Sequence, residues 1–462
     1  MRSIGAFLGA AALGATLAPS FARADTVTDW NDTASTAIIG VAKQPPPVAV
    51  MSFAMVQGAV YDAVEAIDGR YRPYLATPRA RRTDSADAAA ATAAVRVLAG
   101  VLADLPPDQE AMLQTLLQPR YDASLAAIAD GPSKTRGIAD GEQAAAAMLA
   151  ARHDDGNPHN GHYDPFTPVP GTTPGAWRPT PPLFATDPAP WVANVRPFLV
   201  PSVDMLRVAG PNPLTSRAYA RDFNEVKSLG ALHSTTRTPD ETDAAIFWQE
   251  NAYSLYNRIF RTLAADNHLS LPDSARMLAM TNLAGADAAI GCWREKYRWN
   301  FWRPITAIRE ADTDGNPATT ADPTWLPLFD PSTPVAPGAP PLVTPAFPDH
   351  PSGHLCATSA IVSTLQHFFG RDRVPISAKS TESGTTRHFA RLSDVLREVT
   401  NARVWGGIHF RTADIQGAQL GATVARYERR HYFQPARFPL RHDAADTTDV
   451  PQKAVTRPAP DA

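Results

Sequence analysis

Three short stretches place charged and proton-transferring residues at spacings that could do chemistry. The first is FPDHPSGH, residues 347–354. Pro351 cannot sit inside a helix, and helix-forming residues follow it. Ser352 therefore falls near a helix N-terminus, where unpaired backbone N–H groups and the helix dipole favour an anion. Gly353 lets a ligand approach the backbone closely, and His354 stands beside it as a proton donor or acceptor. The second stretch is KYRWNFWRP, residues 296–304. Lys296 and Arg303 are two helical turns apart, so on one helix both cations would project from the same face. Trp293, Trp299, Phe301 and Trp302 mark the segment as largely buried, where an unpaired charge is costly. The third is ARVWGGIHFRTAD, residues 402–414. Arg403 and His409 would diverge on a straight helix, but Gly406-Gly407 can turn the chain and bring both to one ligand.

Taken singly, each stretch has a plainer reading: solvated basic residues, a helix N-cap beside an incidental histidine, and a helix C-cap. Together they make a cage. Three cations, helix N–H groups, a hydroxyl and two histidines suit a tetrahedral or trigonal-bipyramidal oxyanion. One histidine could bond the central atom while the other moves protons, which fits phosphoryl-type or vanadate chemistry. His350 and His354 have the spacing of a metal pair, but Pro351 and Gly353 break the helix that spacing needs.

The elements that must position these residues read as helices. Apolar steps of three and four mark 51–67. Segments 86–102, 108–129, 141–152, 243–263, 272–298, 352–369, 394–404 and 414–428 look helical too, and alternating strand patterns are scarce. The expected class is all-α. Pro-rich stretches at 156–201 and 313–351 interrupt the helices, and long ordered loops of that kind usually cover a site.

The chain resembles the vanadium-dependent haloperoxidase and type-2 acid phosphatase superfamily. That family carries Lys-x6-Arg-Pro, then Pro-Ser-Gly-His, then Ser-Arg-x5-His. Here Lys296 to Arg303-Pro304, Pro351 to His354 and Arg403 to His409 follow in the same order, with Gly407 two before the last histidine. Tyr61-Asp62-Ala63-Val64, Arg237-Thr238-Pro239 and Phe247-Trp248 resemble bacterial members of the haloperoxidase branch. The resemblance implies two four-helix bundles. It implies that Lys296, Arg303, Ser352, Gly353 and Arg403 bind the oxygens of an orthovanadate cofactor. His409 would be its apical ligand, or the nucleophile of a phosphatase, and His354 the general acid–base. In the haloperoxidase Lys296 would polarise the bound peroxide. Trp293 and Phe347 match aromatic positions of the chloroperoxidase type. Two departures stand out. Ala402 replaces the usual Ser, and Asp414 lies five residues after His409 where the family's acidic partner lies four after. An Asp414 that fails to reach the His409 ring would leave that ring without its orienting group.

Length and composition set the frame. The 462 residues carry a net charge of -3, which gives no electrostatic case for nucleic acid. Residues 1–24 combine Arg2, a short apolar run and Ala22-Arg23-Ala24, the pattern of a cleaved signal peptide, so a periplasmic or secreted protein is expected. No further segment of about 20 apolar residues is seen that would span a membrane. Residues 25–442 are expected to form a single all-α domain, and 443–462 a disordered tail.

The reading that follows is an exported haloperoxidase that oxidises halide with hydrogen peroxide at a His-bound vanadate. An exported acid phosphatase that cleaves phosphate esters through a phosphohistidine is the alternative, and a periplasmic oxyanion-binding protein is a third. A binder has no need of His354. Cys292 and Cys356 flank the site and are expected to be buried free thiols. Asp154, Asp155, His159, His162 and Asp164 are expected to form a solvated or lid loop rather than a metal site. Asp243 is a possible partner for a pocket arginine.

Overall fold

The computed structural model describes residues 25–75, 80–161 and 166–436. The expected signal peptide, the expected tail, His162 and Asp164 lie outside these residues. The regular secondary structure of the described chain is almost wholly helical. Its helices are α1 (Thr26–Ser35), α2 (Pro46–Asp68), α3 (Ala86–Val101), α4 (Pro107–Ala126), α5 (Pro132–Arg152), α6 (Arg217–Leu229) and α7 (Pro239–Phe247). They continue with α8 (Ala252–Asp266), α9 (Leu271–Trp299), α10 (Pro304–Arg309), α11 (Gly353–Phe369), α12 (Leu392–Trp405) and α13 (Arg411–His431). A π-helical turn, Thr36–Val41, extends α1. One two-stranded antiparallel hairpin, β1 (Ile376–Lys379) and β2 (Thr386–Phe389), lies between α11 and α12.

α2, α3 and α5 pack on one another, and α2 also lies along α9. On its other side α9 packs against α11 and α13, and α11 against α12. α9 thus joins the two helical groups. A continuous buried apolar cluster runs from Val27 on α1 to Phe433 beyond α13. α2 is long and apolar enough to cross a membrane, which the sequence reading did not anticipate; its apolar window is wholly buried inside the protein, as the central helix of a core.

Local rules explain the ends that matter. Ser270 caps α9, its hydroxyl accepting from the Asp273 N–H. Asn300, at φ 43°, turns the chain out of α9 in the left-handed conformation that Asn tolerates. Lys296 therefore sits in the last turn of α9, while Arg303 is the residue before α10. The two cations do not share a helix, as the seven-residue spacing had suggested. Gly406-Gly407 ends α12, and Gly407, at φ 74°, has the Gly230 carbonyl 2.4 Å from where a Cβ would stand. That position admits only glycine. α13 then returns against the start of α11, so closely that a Cβ on Gly421 would lie 2.2 Å from the Cys356 carbonyl oxygen.

The long run read at 243–263 is two helices. Trp248 to Asn251 interrupt it, and the Asn251 side chain caps α8 by accepting from the N–H groups of Tyr253 and Ser254. Asp243 lies inside α7 and pairs with Arg387 of β2, not with a pocket arginine.

Candidate active site

Four elements converge on one cavity of about 370 Å³. The last two turns of α9 bring Trp293 and Lys296. The 347–351 loop and the start of α11 bring Phe347, Gly353 and His354. The end of α12 brings Arg403, and the turn before α13 brings His409. Trp293, Phe347, Gly353, His354, Arg403 and His409 line the cavity directly. Lys296, Arg303 and Ser352 are fully buried behind that lining. Prolines of the interrupting loops line the rest of the cavity, among them Pro188, Pro340, Pro341 and Pro345. This is the covering role expected of the Pro-rich stretches.

The 347–351 loop is clamped by the two cations beneath it. Lys296 Nζ donates to the carbonyls of Pro348 (2.8 Å), Asp349 (3.1 Å) and Pro351 (2.5 Å). An ammonium has three N–H donors, so all of them are engaged. Arg303 Nε donates to the Phe347 carbonyl at 2.8 Å, and its Nη1 donates to the Ile408 carbonyl at 2.7 Å. Burial lowers Lys296 to about 8 and Arg303 to about 10. Lys296 Nζ also lies 5.0 Å from the centre of the Phe347 ring, and the Trp293 and Phe347 ring centres are 5.0 Å apart. The Trp293 indole is fixed from behind, its N–H donating to Asp187 at 2.9 Å.

Arg403 Nη1 donates to the Trp248 carbonyl at 2.9 Å and Nη2 to Gln249 at 3.2 Å. The break between α7 and α8 exists at the place where Arg403 needs these acceptors. Burial lowers Arg403 to about 9. His354 and His409 are both pushed well below the ordinary histidine value, first by burial and then by the neighbouring cations. Both imidazoles are therefore neutral. Burial likewise lowers His350 to about 3; its ring bonds Gln416, and it takes no part in a metal pair.

The partner of His409 is a residue the sequence reading passed over. His409 Nδ1 is hydrogen-bonded to Asp349 Oδ1 at 2.9 Å, with both side chains buried. On the opposite side of the ring, Arg303 Nη1 donates to Nε2 at 3.2 Å. Asp414 does not take the orienting place considered for it; its carboxylate makes no hydrogen bond to His409 and lies by Ser352 and Arg403. Asp349 belongs to the FPDHPSGH stretch, 60 positions before His409 in the chain.

The cage holds several buried polar atoms without a hydrogen-bond partner: Arg303 Nη2, Ser352 Oγ, His354 Nε2 and Arg403 Nε. Ser352 stands in the N-cap position of α11 yet its hydroxyl caps nothing, so the plain N-cap reading fails. Orphaned donors are rare in folded proteins, and the three here, Arg303 Nη2, Ser352 Oγ and Arg403 Nε, are what an oxyanion would satisfy. Gly353 agrees with that. A Cβ there would make only ordinary contact, 3.4 Å to the Trp293 ring, so the packing itself does not demand glycine. The donor set thus fits vanadate or a similar oxyanion.

Residues 276–436 match the family described as the VCPO second helical-bundle domain. That matched stretch carries all three of the site's motifs, Lys296 to Arg303, Ser352 to His354 and Arg403 to His409. Over 157 residues it is 32% identical to the vanadium chloroperoxidase of Curvularia inaequalis. That match takes in 30% of this chain and spans 24% of the length of its curated relative. The fold extends further. A bacterial vanadium-dependent iodoperoxidase structure superposes with a TM-score of 0.69 at 22% identity, covering 88% of this chain and 97% of that one. The holo form of a bacterial vanadium-dependent chloroperoxidase superposes at 0.62 with 19% identity, covering 87% of this chain and 96% of that one.

Outside the site, the remaining sequence features are structural. Cys292 and Cys356 are buried free thiols, and Cys292 Sγ donates to the Pro351 carbonyl. Asp155 is taken by a buried ion pair with Arg152 at 2.6 Å, and no metal-binding group of His, Cys, Asp or Glu occurs among the described residues. Asp62 accepts from the N–H groups of Tyr74 and Leu75, fixing the chain after α2. Arg237 gathers the carbonyls of Leu229, Ala231 and Trp405.

Proposed function

We propose that this protein is an exported vanadate-dependent haloperoxidase, oxidising a halide with hydrogen peroxide. The observation that carries the reading is the cage itself: three buried cations, a hydroxyl and two neutral histidines around one cavity, with four polar atoms left unpaired. The family match over residues 276–436 and the relatives named above support it. The export half rests on residues 1–24 alone.

His409 Nε2 would hold the central atom of vanadate, and Arg303, Arg403, Ser352 and the N–H of Gly353 its oxygens. Lys296, with its three donors engaged by the loop, contributes charge and holds the loop in place. Bound vanadate supplies a Lewis-acidic centre that makes peroxide electrophilic towards halide without a change of metal oxidation state. His354 is neutral and lines the cavity, so it can take a proton from incoming peroxide at Nε2 and return it later. Trp293 and Phe347 form an apolar wall beside the anion site and exclude water where the halide would attack.

The test is turnover of the vanadate-loaded protein with peroxide and each of iodide, bromide and chloride, beside a His409→Ala control. Halogenation lost in the variant is expected. No turnover with any of the three halides overturns the reading.

A further inference from the structure

The geometry points to Asp349 as a positioning residue that fixes His409 in the single tautomer able to bond an oxyanion's central atom. This rests on the oxyanion-site reading above and adds a residue to it. His409 is held between two groups of opposite character. Asp349 Oδ1 lies 2.9 Å from Nδ1, and Arg303, which can only donate, points Nη1 at Nε2 from 3.2 Å. With the proton on Nε2 instead, that N–H would face a guanidinium N–H and Nδ1 would face a carboxylate oxygen. Both contacts would then be repulsive. The ring therefore keeps its proton on Nδ1 and its lone pair on Nε2, the nitrogen on the Arg303 side.

The carboxylate is itself immobilised. The Asp349 N–H donates to the Phe301 carbonyl at 2.9 Å, and the Asp349 carbonyl receives Lys296 Nζ at 3.1 Å. Its side chain is fully buried. Asp349 is thus bound at its N–H, its carbonyl and its carboxylate, the pre-organisation expected of a group that orients a ligand. A carboxylate behind the ring also makes Nε2 a stronger electron donor than a neutral acceptor would.

Two anions separate this role from a merely structural one. Vanadium accepts a bond from an imidazole nitrogen. Inorganic phosphate stays four-coordinate and needs only the charges and N–H donors of the cage. The experiment measures dissociation constants of orthovanadate and of inorganic phosphate for the full chain, Asp349→Asn and Asp349→Ala, together with the 15N spectrum of the histidine side chains without either anion. In the Asn variant the amide can donate to Nδ1 and drive the proton to Nε2. The expected result is a His409 signal with Nδ1 protonated in the parent and lost in both variants. Vanadate should bind about 10–100-fold more weakly to the variants, in the range usual for lost orienting partners, while phosphate binding holds. Equal weakening of both anions, unchanged vanadate affinity, or a parent His409 protonated on Nε2 would each overturn the inference. Should Asp349→Ala fail to fold, the near-isosteric Asn variant and the parent spectrum still decide it. A parent that binds neither anion would sink the oxyanion reading, and the spectrum would then decide the tautomer by itself.

Discussion

His354 and Arg403 stand on the same cavity and should fail differently when removed. His354 lines the cavity with an unpaired Nε2, so His354→Ala should keep anion binding and lower turnover by about 10²–10⁴-fold, the usual worth of a general acid–base. Arg403→Ala removes a buried cation and should weaken the binding of vanadate and phosphate alike; equilibrium titration of both variants checks the split. pH adds a second handle. Lys296 is lowered to about 8 by burial, so it loses its charge as pH rises through that value. The sign is fixed: anion affinity of the free protein should be steady below about pH 8 and fall above it, by about tenfold per unit for one required proton. Affinity that rises between pH 8 and 9 would contradict a charged Lys296 in the cage. At this scale the motifs were legible because each is a contiguous run of residue types that chemistry recognises. The Asp349–His409 bond was not, because it joins residues 60 positions apart through a loop whose path the sequence does not state.

The helices that carry the site were mostly readable from spacing. The expected 272–298 is close to the observed Leu271–Trp299, and 352–369 to Gly353–Phe369. The break at Trp248 to Asn251 was hidden, because the apolar steps run on across it and only the tertiary contact of Trp248 and Gln249 with Arg403 gives it a reason. α6 was overlooked although Tyr219, Phe223 and Val226 keep helical spacing; its polar face is dominant and the apolar stripe is short. The hairpin strands are four residues each, too brief for alternation to show. The contact of α13 with α11 offers a test at this scale. Gly421→Ala must push a methyl group against the Cys356 carbonyl, and overpacking of this kind costs about 1–3 kcal/mol. Urea unfolding should show that loss. An unchanged midpoint would mean that the two helices are free to part, and with them Ser352 and His409.

Across the whole molecule, the feature that bears on ligand binding is the burial of Lys296, Arg303 and Arg403 around one cavity. A fold that confines like charges is relieved by an anion. Orthovanadate at a hundredfold excess over its dissociation constant should add about 2.7 kcal/mol to stability and raise the melting temperature. Differential scanning calorimetry with and without vanadate checks this, and an unmoved transition would argue against a preformed anion cage. The proposed export has its own test, since protein recovered outside the cytoplasm should begin at Asp25, as intact mass will tell. The measurement that bears most directly on the central claim is a paired assay of one preparation. The metal-free protein is titrated with orthovanadate while bromination by peroxide and bromide is followed, and the same metal-free protein is given a phosphate monoester. The account predicts bromination that rises with vanadate and saturates at one per chain, with negligible ester cleavage. Ester hydrolysis without bromination at any vanadate concentration would contradict it and assign the same cage to a phosphatase.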